Sequence, residues 1–258
     1  MINCCYMSEG WFLECWHVLS VREDEAEPPF IWLGFKPGIT QERFEAVYRN
    51  GRLEDVEALC YRLTVHAGET YFIPGGMPHA LGEGCFVVEI QEPTDLTAVP
   101  ISQKALIDFR KSANPLGEFQ AIDDELYDRR TLGSFDYTGR SLNEVLALTK
   151  SKNPIIRSGA WGEERLIIGS SQTAYFSCTE LTIHGSVPLV PTGEIRIGIV
   201  TTGSGCLKTG NTCLHCRRGT ELFLPIGATD VTAEGDMTVI FAHPSGAVIA
   251  GNAQETEG

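Results

Sequence analysis

The sequence predicts a mainly β protein with a short helical segment near its middle, and three observations carry that expectation. From Arg165 to Ala242 short β-prone runs alternate with Gly, Pro, Asn and Asp turns, the spacing of a β-sandwich or barrel. Between residues 68 and 97, Tyr71-Phe72-Ile73 and Phe86-Val87-Val88-Glu89-Ile90 flank the breaker Pro74-Gly75-Gly76, giving strand, turn, strand. The stretch GETYFIPGG at 68–76 is also echoed by GTELFLPIG at 219–227, which points to an internally duplicated β unit.

In chain order, residues 11–19, WFLECWHVL, read as a strand interrupted by one acid. The two-residue period of a strand puts Glu14 on one face with Phe12 and Trp16, and Cys15 with His17 on the other. A carboxylate flanked by aromatics is paired, hydrogen-bonded or metal-bound if that face is buried, because a bare buried charge is too costly. An exposed edge strand would relieve the same conflict. The acidic stretch 22–29 ends in Pro28-Pro29 and reads as a loop, Phe30–Phe35 as a strand, and Lys36-Pro37-Gly38 as a turn. Thr40 is placed to cap a helix whose apolar side, Phe44, Val47 and Tyr48, runs to Asn50-Gly51. Leu53, Val56, Leu59 and Cys60 give a second short helix, and Tyr61–His66 a strand. His79 then falls where two strands meet, a position suited to pointing an imidazole into a barrel.

Residues 100–140 are polar and mixed, with a helix expected around Asp123–Arg130. Ser141 and Glu144 have the spacing of a capping box ahead of Leu142, Val145, Leu146 and Leu148, which predicts a helix over 141–150. Beyond it, strands are expected at Leu166–Ile168, Tyr175–Ile183, Ile195–Thr201, Cys206–Lys208, Glu221–Pro225 and Met237–Ala242. The expected organisation is a first β-barrel domain over 1–99, a helical connecting segment over 100–160 and a C-terminal β-barrel over 161–258. The second copy of the echo has Ala228 and Asp230 nearby, and no histidine where the first has His79.

A chain of 258 residues is long enough for one large or two medium domains with real cores. A net charge of −14 argues against nucleic acid as a partner, since phosphate binding needs clustered Lys and Arg. No run reaches the apolar length of a membrane span, and MINCCYMSEGW has neither the basic nor the apolar region of a secretory signal. The nine irregularly spaced cysteines are an odd number and fit free thiols in a reducing cytoplasm better than a disulfide framework. A cytoplasmic protein is therefore expected.

Glu14 and His79 offer the oxygen and nitrogen donors that suit zinc, but a catalytic zinc takes three or more protein ligands. Glu89 lies ten residues beyond His79, with Asp95 six further on, and both could transfer protons or bind hydroxyls. Cys213-Leu214-His215-Cys216 has the spacing of half a structural zinc site; no second such pair occurs, and its flanks suggest an exposed hairpin. A GxSxG elbow, a P-loop and a GxGxxG before a helix are all absent.

These residues resemble the type I mannose-6-phosphate isomerases, zinc enzymes built from two cupin (double-stranded β-helix) barrels with a helical part. The resemblance starts at LECWHVL, continues through WLGFKPGITQERFEAV, and peaks at GETYFIPGGMPHALGEGCFVVEIQEPTDLT; SFDYTGRSLNEVLAL at 134–148 and the β-rich C-terminal part are similar as well. It implies that Glu14 and His79 ligate one zinc ion and that Glu89 and Asp95 are active-site acids. It implies a sugar phosphate substrate in carbohydrate metabolism, with mannose 6-phosphate and fructose 6-phosphate interconverted through an enediol. The family's Gln-x-His pair of zinc ligands has no counterpart here, its Lys before the ligand Glu is replaced by Phe12 and Leu13, and its Arg aligns with Val99. The expectation is thus an isomerase whose first barrel lacks its N-terminal strands and tends to self-associate through them. The alternative is a catalytically impaired cupin serving as a sugar-binding or interaction module.

Overall fold

The computed structural model describes residues 4–5, 13–24, 27–92 and 97–244. The chain divides into two compact units, Met1–Lys150 and Ser151–Gly258. No helix among the described residues is long and apolar enough to cross a membrane.

The first unit carries β1 (Cys4–Cys5), β2 (Glu14–Val21), β3 (Phe30–Phe35), α1 (Gln41–Asn50), α2 (Leu53–Glu57), β4 (Cys60–Thr64), β5 (Thr70–Ile73), β6 (His79–Leu81), β7 (Cys85–Gln91) and β8 (Thr97–Ala98). Helices α3 (Gln103–Ala113), α4 (Asp124–Gly133) and α5 (Leu142–Thr149) follow. Two three-stranded antiparallel sheets, ordered β5-β2-β7 and β4-β3-β6, make its centre, and β1 pairs with β8. Trp16, Val18, Tyr71 and Ile73 of the first sheet meet Ile31 and Leu33 of the second in one buried cluster. The strand carrying Glu14 is therefore central in its sheet, which settles the choice between a buried and an edge strand.

Local chemistry explains the helices. Thr40 accepts a hydrogen bond from Arg43 N at the start of α1, and Gly51 ends it with φ 70°. Phe44 and Tyr48 bury one side of α1 against Phe35, Leu132 and Phe135. The capping box of α5 forms as the spacing predicts, with Ser141 and Glu144 satisfying each other's backbone amides. Ser102 caps α3, accepting from Ala105 N, and the helix buries Gln103 and Leu106.

The second unit carries β9 (Ile155–Gly159), β10 (Gly162–Ile168), β11 (Ser177–Pro188), β12 (Arg196–Thr209), β13 (Thr212–Arg217), β14 (Glu221–Leu224) and β15 (Thr232–His243). They form one antiparallel sheet ordered β13-β12-β15-β11-β10-β9, with β14 on β12. Leu181, Ile183, Val200, Leu222, Leu224, Val239 and Phe241 are its apolar inner face. The two strands expected at 195–201 and 206–208 are a single strand, β12. Its glycines read as breakers but serve close approach: a Cβ on Gly203 would sit 2.0 Å from Asp236 O of the adjacent β15. The two echoed stretches occupy comparable elements, the short strands β5 and β14, each followed by Pro.

Candidate functional site

The site of the first unit follows from strand register. On β2, Glu14 stands across from Ile73 of β5 and Gln91 of β7, while Trp16 stands across from Tyr71 and Glu89. Residues opposite one another in an antiparallel pair share a face. Glu14, Trp16 and Glu89 therefore extend the inward face occupied by Val18, Tyr71 and Ile73. From the facing sheet, His79 is opposite Leu33, a member of the same buried cluster.

The chain leading to His79 is tied at several points. Met77 N donates to Pro74 O at 3.1 Å, and Asp136 N donates to Gly76 O at 2.8 Å. Gly34 interrupts the register of β3, with φ 68°, and its amide donates to Pro78 O at 2.8 Å. A side chain at Gly34 would be strained by that φ and would place a Cβ 2.9 Å from Val145 Cγ2, so glycine here sets how β6 approaches β3.

His79 Nδ1 lies 2.7 Å from Met77 O, which makes Nδ1 the protonated nitrogen and leaves Nε2 to face Glu14 Oε1 at 2.8 Å. Both residues are buried, at 2 % and 3 % exposure. Trp16 packs edge-on against the imidazole with ring centroids 5.3 Å apart. Desolvation first, and then the charge of Glu14 and a hydrogen bond with it, push the Glu89 carboxyl up from 4.5 to about 7; His79 and the Trp16 indole act in the opposite sense. Glu89 as a whole residue remains exposed, so it sits at the edge of the buried pair and in reach of solvent.

The structure brings together Glu14, His79 and Glu89 of the residues singled out from the sequence. Asp95 lies outside the described residues. Val99 is buried, at 7 % exposure, and its carbonyl accepts from Ile101 N and the Tyr127 hydroxyl. Trp16 was missed as the residue that borders both His79 and Glu89, although the strand period already placed it beside Glu14. Cys213 and Cys216, three apart on β13, fall on opposite faces, one exposed and one in the core, which keeps their sulfurs from sharing a metal. Cys15, Cys60, Cys85, Cys178, Cys206, Cys213 and Cys216 are free thiols.

The donor chemistry of the Glu14–His79 pair fits zinc. An Nδ1–H tied to a backbone carbonyl leaves the Nε2 lone pair for a metal, as in a metal-ligating histidine, and donors on a tetrahedral zinc lie roughly 3.3 Å apart, against 2.8 Å here. Their number falls short: no group of three or more His, Cys, Asp or Glu suited to a metal occurs among the described residues.

Residues 170–244 match the family model described as mannose-6-phosphate isomerase, cupin domain. A probable mannose-6-phosphate isomerase of Bacillus subtilis (strain 168) is 25 % identical over 231 residues, covering 90 % of this chain and 64 % of the relative. A mannose-6-phosphate isomerase of Streptococcus mutans serotype c is 26 % identical over 234 residues, covering 89 % and 63 %. The crystal structure of the mannose 6-phosphate isomerase from Bacillus subtilis superposes with a TM-score of 0.69 at 20 % identity, covering 94 % of this chain and 70 % of that one. A zinc-bound mannose 6-phosphate isomerase structure is similar at a TM-score of 0.60 and 12 % identity, covering 94 % and 75 %. The chain spans a little under two thirds of the length of these curated relatives.

The fold is mainly β, and residues 170–244 are matched as a cupin domain. As a whole the chain is similar to mannose-6-phosphate isomerases in sequence and in fold.

Proposed function

We propose that the chain interconverts mannose 6-phosphate and fructose 6-phosphate, with the site in a cupin barrel of its first unit. The observation that carries this reading is an acid, Glu89, standing across from Trp16 at the rim of a buried carboxylate–histidine pair. With its pKa pushed up to about 7, Glu89 can both take a proton from one sugar carbon and return it to the next at neutral pH. Trp16 bounds the space beside it, and Asp95 is assigned to a sugar hydroxyl. Glu14 and His79 would hold a zinc ion together with donors outside the described residues. Such an ion, when bound, polarises carbonyl and hydroxyl oxygens. The similarity to mannose-6-phosphate isomerases supports mannose 6-phosphate as a substrate.

A second reading, a catalytically impaired cupin that binds a sugar, is favoured by the two-donor count and by Val99, which is buried and apolar where the family has an arginine. Zinc content and turnover separate the two. Isomerisation requires about one zinc per chain, its loss in Glu14→Ala and His79→Ala, and turnover that falls at least 100-fold in Glu89→Gln while sugar phosphate binding persists. A chain that takes up no zinc and converts no mannose 6-phosphate sinks the enzyme reading. Saturable sugar phosphate binding without turnover establishes the second.

A further inference from the structure

The second unit holds a polar cluster that the reading above leaves unused. Ser177 stands across from His243 on the paired strands β11 and β15, and Thr179 stands across from Phe241. Ile197 of β12 is opposite Ala242, so the next step of the same ladder sets Arg196 beside His243. The four polar residues continue the inward face formed by Leu181, Val239, Val200 and Phe241. Ser177 and Arg196 are the first residues of their strands and His243 is the last of its own, so the cluster sits at one end of the sheet.

These groups are buried, with Ser177 and Thr179 at 1 %, His243 at 4 % and Arg196 at 6 % exposure. Ser177 Oγ, Thr179 Oγ1 and His243 Nε2 have no hydrogen-bond partner among the described residues. The Arg196 guanidinium lies 5.4 Å from the centre of the Phe241 ring and forms no ion pair among the described residues. Glu164, the inward-facing carboxylate nearest in charge to Arg196, is already gripped by Arg157 Nε and Nη2, both at 2.9 Å. Glu194 adds a second negative charge near His243. Buried polar groups in folded proteins are almost always satisfied, so three open ones around an uncommitted guanidinium call for an occupant.

The chemistry of that occupant follows from what is on offer. Two hydroxyls, an imidazole and a guanidinium can all donate, and the guanidinium fork matches two oxygens of one anion. Burial and the Arg196 charge push His243 down to about 4, so at neutral pH it is an uncharged imidazole whose N–H can face an oxygen. We infer that Arg196, His243, Ser177 and Thr179 form a binding site for a tetrahedral oxyanion of the phosphoryl class, separate from the Glu14–His79 site. The anion comes either as free phosphate or as the phosphate of a sugar phosphate.

Thermal unfolding of the full chain, titrated with inorganic phosphate, mannose 6-phosphate and mannose, tests the inference in a Glu14→Ala background that removes the first site. Both phosphates should raise Tm saturably and mannose should not; tighter binding of one phosphate identifies the source. Arg196→Leu should weaken phosphate binding at least tenfold. Ser177→Ala with Thr179→Ala, which removes two donors and leaves the charge, should weaken it severalfold and serves if Arg196→Leu does not fold. The inference is overturned if phosphate leaves Tm unchanged, or shifts it equally in the parent and in the variants that fold. The cluster then holds only water. Neither outcome bears on isomerisation, which is read in the chain with Glu14 intact.

Discussion

The two units build a polar site in the same way and finish it differently. In each, an inward strand face runs through apolar residues and ends in ionisable ones: Val18, Trp16 and Glu14 on β2, and Val239, Phe241 and His243 on β15. In the first unit a carboxylate meets an imidazole, with Glu14 Oε1 2.8 Å from His79 Nε2. In the second the groups left open are chiefly donors, gathered around Arg196. A buried face ending in a carboxylate and an imidazole is prepared for a cation or a proton, whereas one ending in hydroxyls and a guanidinium is prepared for an anion. The echoed sequence hides this divergence, because the position that supplies His79 after β5 has no histidine after β14.

Breaking the first pair should have the largest effect. His79→Ala leaves the Glu14 carboxylate buried without its imidazole, and removing one partner of such a pair costs about 3–5 kcal/mol. Urea unfolding of the variant should show that loss; a change near zero would mean that the two side chains are already solvated. His243 should make the second unit acid-sensitive. Its folded value of about 4 lies below the ordinary 6.5, so its stabilising contribution is full above pH 6.5 and is lost as pH falls toward 4. The loss is on the order of 2 kcal/mol, and His243→Gln should flatten it in a pH series of unfolding curves.

Glu89 should act in the opposite direction and more weakly. Its folded value of about 7 exceeds 4.5, so the fold favours the protonated acid, and stability declines as pH rises from 4.5 through 7. Because the residue is exposed, solvent screening reduces the effect to about 1 kcal/mol. Glu89→Gln should therefore gain on the parent as pH rises across that window. In the parent, turnover should also show an inflection near pH 7 that the variant lacks.

Much of the fold could be read from pattern alone. Alternation placed Glu14 with Trp16, the Thr40 and Ser141 caps gave two helix starts, and the β-branched runs gave most strands. What escaped depended on partners remote in sequence. The glycines of β12 looked like turns until β15 lay against them. Cys213 and Cys216 had metal spacing in the sequence and lost it to the two-residue period of a strand that the spacing alone did not reveal.

By itself, then, the sequence determined the mainly β class and the residue types available for a site, because these rest on local periodicity and turn chemistry. Tertiary structure decided which of them meet. Glu14 and His79 are far apart in the chain and become neighbours only when β2 and β6 face each other from separate sheets. Ser177, Arg196 and His243 converge only through the order β12-β15-β11. Local rules fix which face a side chain takes, and only long-range strand pairing fixes what stands across from it.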